Sequence, residues 1–415
     1  MSIERVQTLV VGGGQAGLAM SHMLTKRGCP HLVLERSRIA ERWRTERWDG
    51  LRFQFPNWSV QLPDFPFPHT DPNGFATSSE IVEFISAYAA FVAAPIRCGV
   101  SVVALRAQEG GTGFVAETSD GRIKADNVVV ATGPYQHPVI PSLLQGDADV
   151  FQVHASQYKS PNLLPSGGVL VVGSGASGAQ ITEELFRAGR RVYLSVGRHT
   201  RVPRRYRGRD LIWWLSEMGL DRIPAEERGP DRAKPLITGA FGGDTIDFRR
   251  FAAEGVTLLG RVQAFHQGIV DLAPDLAKRL AYGDVSYSVF LDRVDDHVQR
   301  HALDTPEDPS ARSVWPDPPC LTEPLRHLDL RAAKVSAVVW ATGYGYEFGW
   351  LDVPVLNAHG QPVHRQGVTN VPGLYFLGLR WLSNFKSSLL SGIGEDAARL
   401  ADHIAAARIQ RSDQR

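Results

Sequence analysis

The sequence has few of the features that define several common classes of protein, and cysteine is the scarcest of them. Only three cysteines occur in 415 residues. Cys29, Cys98 and Cys320 lie too far apart to form a Cys-x-x-Cys motif. This spacing excludes a redox-active dithiol of the thioredoxin-reductase type and a zinc knuckle, and no metal site is indicated. Free thiols also favour a reducing compartment, so we expect a cytoplasmic protein.

Charge of one sign and long apolar runs are also missing. The 45 lysines and arginines balance 44 aspartates and glutamates, which leaves a net charge of +1. There is therefore no overall field to attract nucleic acid or an anionic membrane. No apolar run approaches the ~20 residues of a membrane span, and the N-terminus lacks the basic segment and apolar core of an export signal. The length predicts two or three domains.

A dinucleotide-binding pattern occupies the start of the chain. The apolar, β-branched run over residues 8–11 predicts a buried strand, and a helical segment over residues 18–26 follows the glycine-rich turn. Residues 31–34 predict a second strand that ends at Glu35. Strand, Gly-x-Gly-x-x-Gly turn, helix, strand and acid together form the fingerprint of a nucleotide site. The alternative is a glycine-rich turn that binds no ligand.

Each part of this fingerprint has a chemical role. Gly12 permits the tight turn, and Gly14 lets the backbone approach a pyrophosphate at the positive end of the helix. Gly17 lets the helix and the strand pack closely. Glu35 would accept hydrogen bonds from a ribose diol. We therefore expect the first site to bind a dinucleotide.

Aromatic residues dominate the segment that follows. Residues 41–52 place Trp43 and Trp48 among four arginines, a composition that could cover a flat aromatic cofactor and hold its phosphates. An amphipathic surface segment with core tryptophans is the alternative. Residues 53–68 are rich in proline and aromatics and predict a rigid loop that lines a pocket, or otherwise a buried connector.

The fingerprint recurs later in the chain. Residues 168–172 predict a strand, and Gly173-Ser174-Gly175-Ala176-Ser177-Gly178 follows it, before a second helix and strand. The two fingerprints begin 161 residues apart. A strand ending in Ala131-Thr132-Gly133, preceded by hairpin strands with a turn at Gly110-Gly111, also recurs as a strand ending in Ala341-Thr342-Gly343. The repeat thus covers whole parts of a domain.

The two copies differ at the end of the second strand, the position that distinguishes a nucleotide with a 2′-phosphate from one without it. The first copy has Glu35, whose carboxylate would repel a 2′-phosphate, whereas the second has Ser195 and Arg198, with Thr200 or Arg201 nearby. Hydroxyl and guanidinium groups would bind that phosphate. This difference predicts FAD in the first site and NADPH in the second. NAD in the first site is the weaker alternative, and a solvated basic loop is the alternative for the two arginines.

The remaining segments carry fewer signals. Residues 203–330 are interpreted as the rest of the second domain with a substrate-facing insertion, including a helix over residues 276–298. A C-terminal helix over residues 387–407 would aim its N-terminus at the pyrimidine side of a flavin. An ordinary helix that closes the core is the alternative.

Together these segments resemble the class B flavin-dependent monooxygenases, and are most similar to bacterial flavoproteins related to the plant YUCCA-type enzymes. The similarity covers nearly the whole chain except residues 220–325. It rests on residues 52–68, on His154-Ala155-Ser156-Gln157-Tyr158-Lys159 at the end of the family's identifying motif, and on residues 386–396. The resemblance implies an α/β fold with two Rossmann-like dinucleotide-binding domains, glutathione-reductase-like, with a partly helical insertion.

The resemblance also implies a reaction. NADPH would reduce FAD, and the reduced flavin would react with oxygen to give a C4a-(hydro)peroxyflavin. One oxygen atom would then pass to a small organic substrate in an N-, S- or Baeyer–Villiger-type oxygenation. Gln54 stands where animal-type members place an asparagine, and it is the candidate catalytic residue. An NADPH-dependent reductase or oxidase that produces hydrogen peroxide is one alternative, and a non-catalytic nucleotide-sensing flavoprotein is another.

The resemblance completes the expected organisation. Residues 1–160 and 326–415 would form the FAD-binding domain, and residues 161–325 the NADPH-binding domain; a homodimer is plausible. The expected residues of the first site are Gly12, Gly14, Gln15, Ala16, Gly17, Glu35, Arg36, Trp43, Arg44, Trp48, Gln61, Val102, Ala131, Thr132, Gly133 and Gly378. Those of the second site are Gly173, Ser174, Gly175, Ala176, Ser177, Ser195, Arg198, Ala341, Thr342 and Gly343.

Overall fold

The computed structural model describes residues 3–109, 112–141, 150–227 and 235–413 of the chain. The turn expected at Gly110-Gly111 lies outside these residues. Within the described ranges, no helix is both long and apolar enough to cross a membrane. The same residues contain no group of three or more His, Cys, Asp or Glu side chains that could hold a metal ion.

The regular elements alternate between strands and helices for most of the chain. In chain order the strands are β1 (Glu4–Val11), β2 (His31–Glu35), β3 (Gln61–Leu62), β4 (Phe65–Pro66), β5 (Ile96–Cys98), β6 (Val102–Ala107), β7 (Phe114–Thr118), β8 (Gly121–Val130), β9 (His137–Pro138), β10 (Phe151–His154), β11 (Gly168–Val172), β12 (Val192–Ser195), β13 (Arg205–Tyr206), β14 (Arg209–Asp210), β15 (Thr257–Leu259), β16 (Val262–His266), β17 (Ile269–Leu272), β18 (His327–Asp329), β19 (Val335–Trp340), β20 (Tyr344–Gly345), β21 (Leu351–Asp352) and β22 (Leu374–Phe376). The α-helices are α1 (Gln15–Lys26), α2 (Glu41–Thr45), α3 (Ser78–Phe91), α4 (Ala176–Arg187), α5 (Leu211–Glu217), α6 (Phe248–Ala253), α7 (Leu276–His301) and α8 (Ile393–Asp413).

The first fingerprint lies at the centre of an eight-stranded sheet. The strand order is β21-β6-β7-β8-β1-β2-β5, with β22 paired to β8. Strand β1 runs parallel to β2 on one side and to β8 on the other. Leu9 and Val10 of β1 are fully buried, because a central parallel strand has both faces covered. Helices α1 and α8 pack against each other on this sheet.

The second fingerprint lies in a separate sheet of five parallel strands. Its order is β10-β19-β11-β12-β15. Strand β19 flanks β11 as β8 flanks β1, so in each unit the strand that ends in Ala-Thr-Gly lies beside the fingerprint strand. The predicted fold of two Rossmann-like units is confirmed.

Sheet membership differs from the expected domain boundaries. Strands β10 and β19 both lie in the second sheet, whereas the sequence assigned residues 1–160 and 326–415 to the first domain. The reason is that the glycine turn after β11 needs a parallel neighbour whose end approaches it, and β19 provides that neighbour. The chain therefore crosses between the sheets before β10 and after β19, where β9 and β20 pair antiparallel.

The insertion is partly helical, as expected. Helix α7 confirms the predicted helix over residues 276–298 and extends it to His301. Trp214 of α5 and Phe290 of α7 belong to a buried apolar cluster that also contains Phe55 of the first unit. The insertion is thus packed against the proline- and aromatic-rich loop.

The C-terminal helix begins at Ile393 rather than at the predicted Ser387. Residues 385–388 form a short 3₁₀ turn, in which the Asn384 side chain accepts a hydrogen bond from the Lys386 amide at 2.9 Å. The chain then folds back on itself, since a Cβ on Gly392 would lie 2.2 Å from the Lys386 Cβ. The helix can start only after this reversal.

Candidate functional site

A cavity of about 610 Å³ opens at the carboxyl ends of the strands in the first sheet. This is the edge at which parallel α/β sheets bind ligands. Its wall brings together residues that are spread from position 11 to position 390. The predicted residues that line it are Gly12, Gly14, Gln15, Ala16, Glu35, Arg36, Trp43, Trp48, Gln54, Val102, Ala131, Thr132, Gly133, Ser177 and Gly378.

The first glycine turn is packed closely against neighbouring backbone at Gly12 and Gly17 and is open at Gly14. Gly12 has φ +117°, and a Cβ there would lie 2.6 Å from the Ala131 carbonyl oxygen. A Cβ on Gly17 would lie 1.8 Å from the Gly12 carbonyl oxygen, so Gly17 supports the turn from beneath and does not line the cavity. Gly14 faces open space, with nothing within 4 Å of an added Cβ. This arrangement fits a pyrophosphate at the start of α1.

The second glycine turn repeats this geometry closely. A Cβ on Gly173, which has φ +102°, would lie 2.6 Å from the Ala341 carbonyl oxygen. A Cβ on Gly178 would lie 1.8 Å from the Gly173 carbonyl oxygen, and Gly175 again faces open space. The chain therefore contains two glycine turns of the same shape, each at the start of a helix. We call residues 12–17 the first cradle and residues 173–178 the second cradle.

Glu35 is held at the end of β2 by the backbone. One carboxylate oxygen accepts a hydrogen bond from the Gly13 amide at 2.7 Å, and the other accepts one from the Ser37 amide at 2.9 Å. These bonds fix the carboxylate in the cavity wall. Each oxygen keeps a further lone pair that could accept from a ribose hydroxyl.

The tryptophan–arginine segment contributes to the wall in a different way from that expected. Trp43 and Trp48 line the cavity, but Arg44 turns away and donates hydrogen bonds to the Ile39 carbonyl and to the Ser86 hydroxyl. This placement does not support the prediction that Arg44 binds the cofactor, because the position of Arg44 on the short helix α2 directs its side chain toward α3. The neighbouring arginines, Arg42 and Arg47, line the cavity instead.

Only the first part of the proline- and aromatic-rich loop reaches the cavity. Phe53, Gln54 and Phe55 lie in the wall, and the rings of Phe53 and Phe55 are 5.4 Å apart. Gln61 lies on the small β3–β4 hairpin, where it is exposed and outside the cavity wall. This placement does not support the prediction that Gln61 contacts the cofactor, because Val60 and Leu62 on either side are buried and Gln61 lies on the opposite, exposed face.

Two of the residues expected to hold a 2′-phosphate are buried and already bonded to other protein groups. Ser195 is buried, and its hydroxyl donates to the Gly260 carbonyl at 3.1 Å and accepts from the Val262 amide at 3.2 Å. These backbone bonds occupy the hydroxyl, so the geometry argues against Ser195 as a phosphate ligand. Arg201 is also buried, where it pairs with Asp247 at 2.5 Å.

Arg198 is the exposed cation at the end of β12. Its guanidinium carbon lies 4.5 Å from the centre of the Tyr282 ring, and Nη2 donates to the Tyr282 hydroxyl at 3.0 Å. Ser174 is buried and accepts a hydrogen bond from the Gly197 amide at 2.9 Å. The loop that carries Arg198 is thus tied to the second glycine turn.

Of the second glycine turn, Ser177 at the start of α4 contributes to the wall of this cavity. The other residues of the second cradle lie outside the cavity wall. After β19, the Gly343 carbonyl accepts a hydrogen bond from the Val139 amide. A nucleotide on the second cradle would therefore approach the first cavity at the α4 end.

Several residues of the wall were not predicted. Tyr135 and Tyr344 contact each other edge-to-face at 5.1 Å, and the Arg380 guanidinium lies 4.6 Å from the Tyr135 ring centre. His154 packs against Tyr344 and bonds to the Gly343 carbonyl at 3.1 Å. A tyrosine closely follows each Ala-Thr-Gly sequence, so the repeat itself contained the signal that could have identified both rings.

The chain thus contains two glycine turns of the same geometry at the starts of α1 and α4, and the first opens into the cavity. Residues 9–225 match the family described as pyridine nucleotide-disulphide oxidoreductase. The chain is 33% identical over 403 residues to an uncharacterized CzcO-like oxidoreductase of Geobacillus kaustophilus (strain HTA426), a match that covers 96% of this chain and 98% of that protein.

Two further comparisons give similarities to flavin monooxygenases. The indole-3-pyruvate monooxygenase YUCCA1 of Oryza sativa subsp. japonica is 33% identical over 52% of this chain and 55% of its own length. A flavin-containing monooxygenase from Stenotrophomonas maltophilia shares the fold with a TM-score of 0.66 and 18% identity, covering 98% of this chain and 99% of that one. The chain belongs to the pyridine nucleotide-disulphide oxidoreductase family, and its fold is that of the flavin monooxygenases.

Proposed function

We propose that this protein is an FAD- and NADPH-dependent monooxygenase that transfers one atom of molecular oxygen to a small organic substrate at nitrogen, sulfur or a carbonyl carbon. The observation that carries the proposal is the repetition of one glycine-turn geometry at the starts of α1 and α4, with Ser177 of α4 in the wall of the cavity at the first turn. Two nucleotide sites placed in this way support electron transfer between two bound cofactors. This arrangement has no evident use in a protein that binds one nucleotide.

The first cradle suits FAD. Glu35 provides a carboxylate at the ribose position, and Gly14 leaves open space at the start of α1. Trp43 and Trp48 supply flat apolar surface in the same wall, and Arg36 and Arg47 supply positive charge. These residues would hold the cofactor's ribose, pyrophosphate and ring system.

The second cradle suits NADPH. The second unit has Val196 and Gly197 where the first unit has Glu35 and Arg36, so no carboxylate stands there to repel a 2′-phosphate. Arg198 is exposed, and its contact with Tyr282 holds the guanidinium at the rim of this cradle. Arginine binds phosphate through paired, charge-assisted hydrogen bonds.

When bound, the flavin supplies hydride acceptance and oxygen activation, and the protein's part is to bind, orient and desolvate it. Phe53 and Phe55 would exclude water from the end of the cavity that Gln54 lines. No hydrogen bond to the Gln54 side-chain amide is present among the described residues, so the amide can donate to, or accept from, a bound group. Among those same residues no cysteine lines the cavity, which argues against a thiol-based reductase.

The decisive experiment follows the oxygen. The purified, flavin-loaded protein is supplied with NADPH and ¹⁸O₂ and offered panels of amines, sulfides and ketones. Label in an organic product, with NADPH consumed in equal amount, supports the proposal. Stoichiometric peroxide with no labelled product from any panel would make the protein an oxidase, and binding of both nucleotides without NADPH consumption would make it a sensor.

A further inference from the structure

We propose that Arg204 is a positioning residue that fixes the Gln54 peptide at the cavity. This inference rests on the proposed function, because it assigns Arg204 a part in oxygen transfer only through Gln54. Arg204 comes from the second unit, just before the β13–β14 hairpin, whereas Gln54 belongs to the loop of the first unit. The contact therefore joins the insertion to the proposed catalytic residue.

Arg204 is buried and uses its fork of donors in several directions. The side chain is 2% exposed. Nη1 donates to the Gln54 carbonyl at 2.7 Å and lies 3.3 Å from the Thr238 carbonyl. Nε donates to the Asp210 carboxylate at 2.9 Å, and Nη2 lies 2.9 Å from the same oxygen. A guanidinium can do this because its donors lie in one rigid plane.

The energetic cost of burying this charge explains why Asp210 accompanies it. A buried charge must be paired and hydrogen-bonded to be tolerated. Asp210 pairs with Arg204 through one oxygen, and with its other oxygen it accepts a hydrogen bond from the Ile212 amide at the start of α5. The Phe75 ring, 4.5 Å from the guanidinium carbon, covers one face. The guanidinium is thus held from the insertion side, and the Gln54 carbonyl is bound to it.

The neighbouring residue Phe53 is also held in place, by contacts of its backbone. The Phe53 amide donates to the Ala76 carbonyl at 2.6 Å. A Cβ on Gly239 would lie 2.0 Å from the Phe53 carbonyl oxygen and 2.9 Å from the Phe75 side chain. Phe53 is held by backbone contacts, while Gln54 is held by the Arg204 side chain. Changing Arg204 should therefore loosen Gln54 more than it loosens Phe53.

The test replaces Arg204 with lysine, which keeps the charge beside Asp210 but cannot reproduce the planar fork. Loss of the charge-assisted bond to the Gln54 carbonyl should raise amide hydrogen exchange in the peptide that spans residues 53–58 by about tenfold. This readout needs no cofactor. In the flavin-loaded protein, R204K should raise the fraction of NADPH consumption that ends as peroxide, with the rate of flavin reduction by NADPH unchanged.

Arg205→Lys is the matched control. Arg205 is exposed, and within the described part of the chain its side chain donates only to the Gly242 carbonyl, so this variant should match the wild type in both measurements. If R204K does not fold, Asp210→Glu provides a second variant, since it keeps a carboxylate beside the buried guanidinium but shifts its position, and it should move both readouts in the same direction.

The outcomes separate the two proposals. An R204K protein with wild-type exchange overturns the inference, and so does a rise in exchange without a rise in peroxide fraction when the wild type oxygenates a substrate. Wild-type protein that inserts no ¹⁸O into any substrate overturns the proposed function, whatever the exchange measurement gives.

Discussion

At the scale of single residues, Gln54 is the polar side chain placed between aromatic rings at the end of the cavity. Replacing it with alanine should remove one hydrogen bond to the reacting groups and lower the rate of product formation about tenfold or more. The lost turnover should appear as peroxide. Product and peroxide are quantified against NADPH consumed.

Gln61→Ala is the matched control for that change. Gln61 is exposed on the β3–β4 hairpin outside the cavity, and it should behave as the wild type. Equal coupling in Gln54→Ala and Gln61→Ala would remove Gln54 from the reaction.

We predict that substituting Arg198 changes the preference for NADPH over NADH and that substituting Ser195 does not. Arg198→Gln should raise the KM for NADPH about tenfold or more, because a charge-assisted bond to the 2′-phosphate is lost. The KM for NADH, which lacks that phosphate, should not change. Ser195→Ala should leave both values near those of the wild type, since the Ser195 hydroxyl already bonds to Gly260 and Val262. Steady-state kinetics with both nucleotides measure this, and an unchanged preference in Arg198→Gln would refute the assignment.

At the scale of elements, the starts of α1 and α4 can be tested separately. Gly14 and Gly175 have φ −85° and −69°, which any residue can adopt, and both face open space. An alanine at either position should therefore leave the unfolding temperature unchanged while its methyl group occupies the space of a pyrophosphate. Gly14→Ala should reduce flavin retention, whereas Gly175→Ala should weaken NADPH binding about tenfold with flavin retained.

Flavin content after gel filtration and NADPH titration by fluorescence give the two readouts. The two variants serve as controls for each other. Loss of flavin in Gly175→Ala, or loss of NADPH binding alone in Gly14→Ala, would reverse our assignment of the two cofactors.

The same elements show what the sequence could predict and what it could not. Both glycine turns were predictable because their geometry depends on neighbours within a few residues and on the adjacent strand. Arg44 was not, because its direction depends on how α2 packs against Ser86 of α3. Ser195 was not, because its partners lie 65 and 67 residues further along the chain. The contact of Arg204 with Gln54 spans 150 residues and leaves no local signal.

At the scale of the whole molecule, buried histidines should make stability depend on pH. Burial lowers the pKa of His31, His154, His199 and His364 below the usual value. Because the folded protein resists protonation of these rings, the unfolded chain binds more protons below its histidine pKa of about 6.5. Stability contributed by the neutral rings is therefore full above that pH and is lost as the pH falls. The urea midpoint should drop between pH 7.5 and pH 5.5.

His154 is the ring whose contacts explain this most directly. Its Nε2–H donates to the Gly343 carbonyl at 3.1 Å, and its Nδ1 accepts from the Ser156 amide at 3.1 Å. A proton on Nδ1 would face that amide hydrogen, so protonation must break the contact between the ring and the Ser156 amide, although the Nε2–H bond to Gly343 can remain. His154→Gln, which can both donate and accept but does not titrate, should reduce the slope of unfolding free energy against pH by up to one proton. An identical slope in the wild type and this variant would show that the other histidines account for the whole effect.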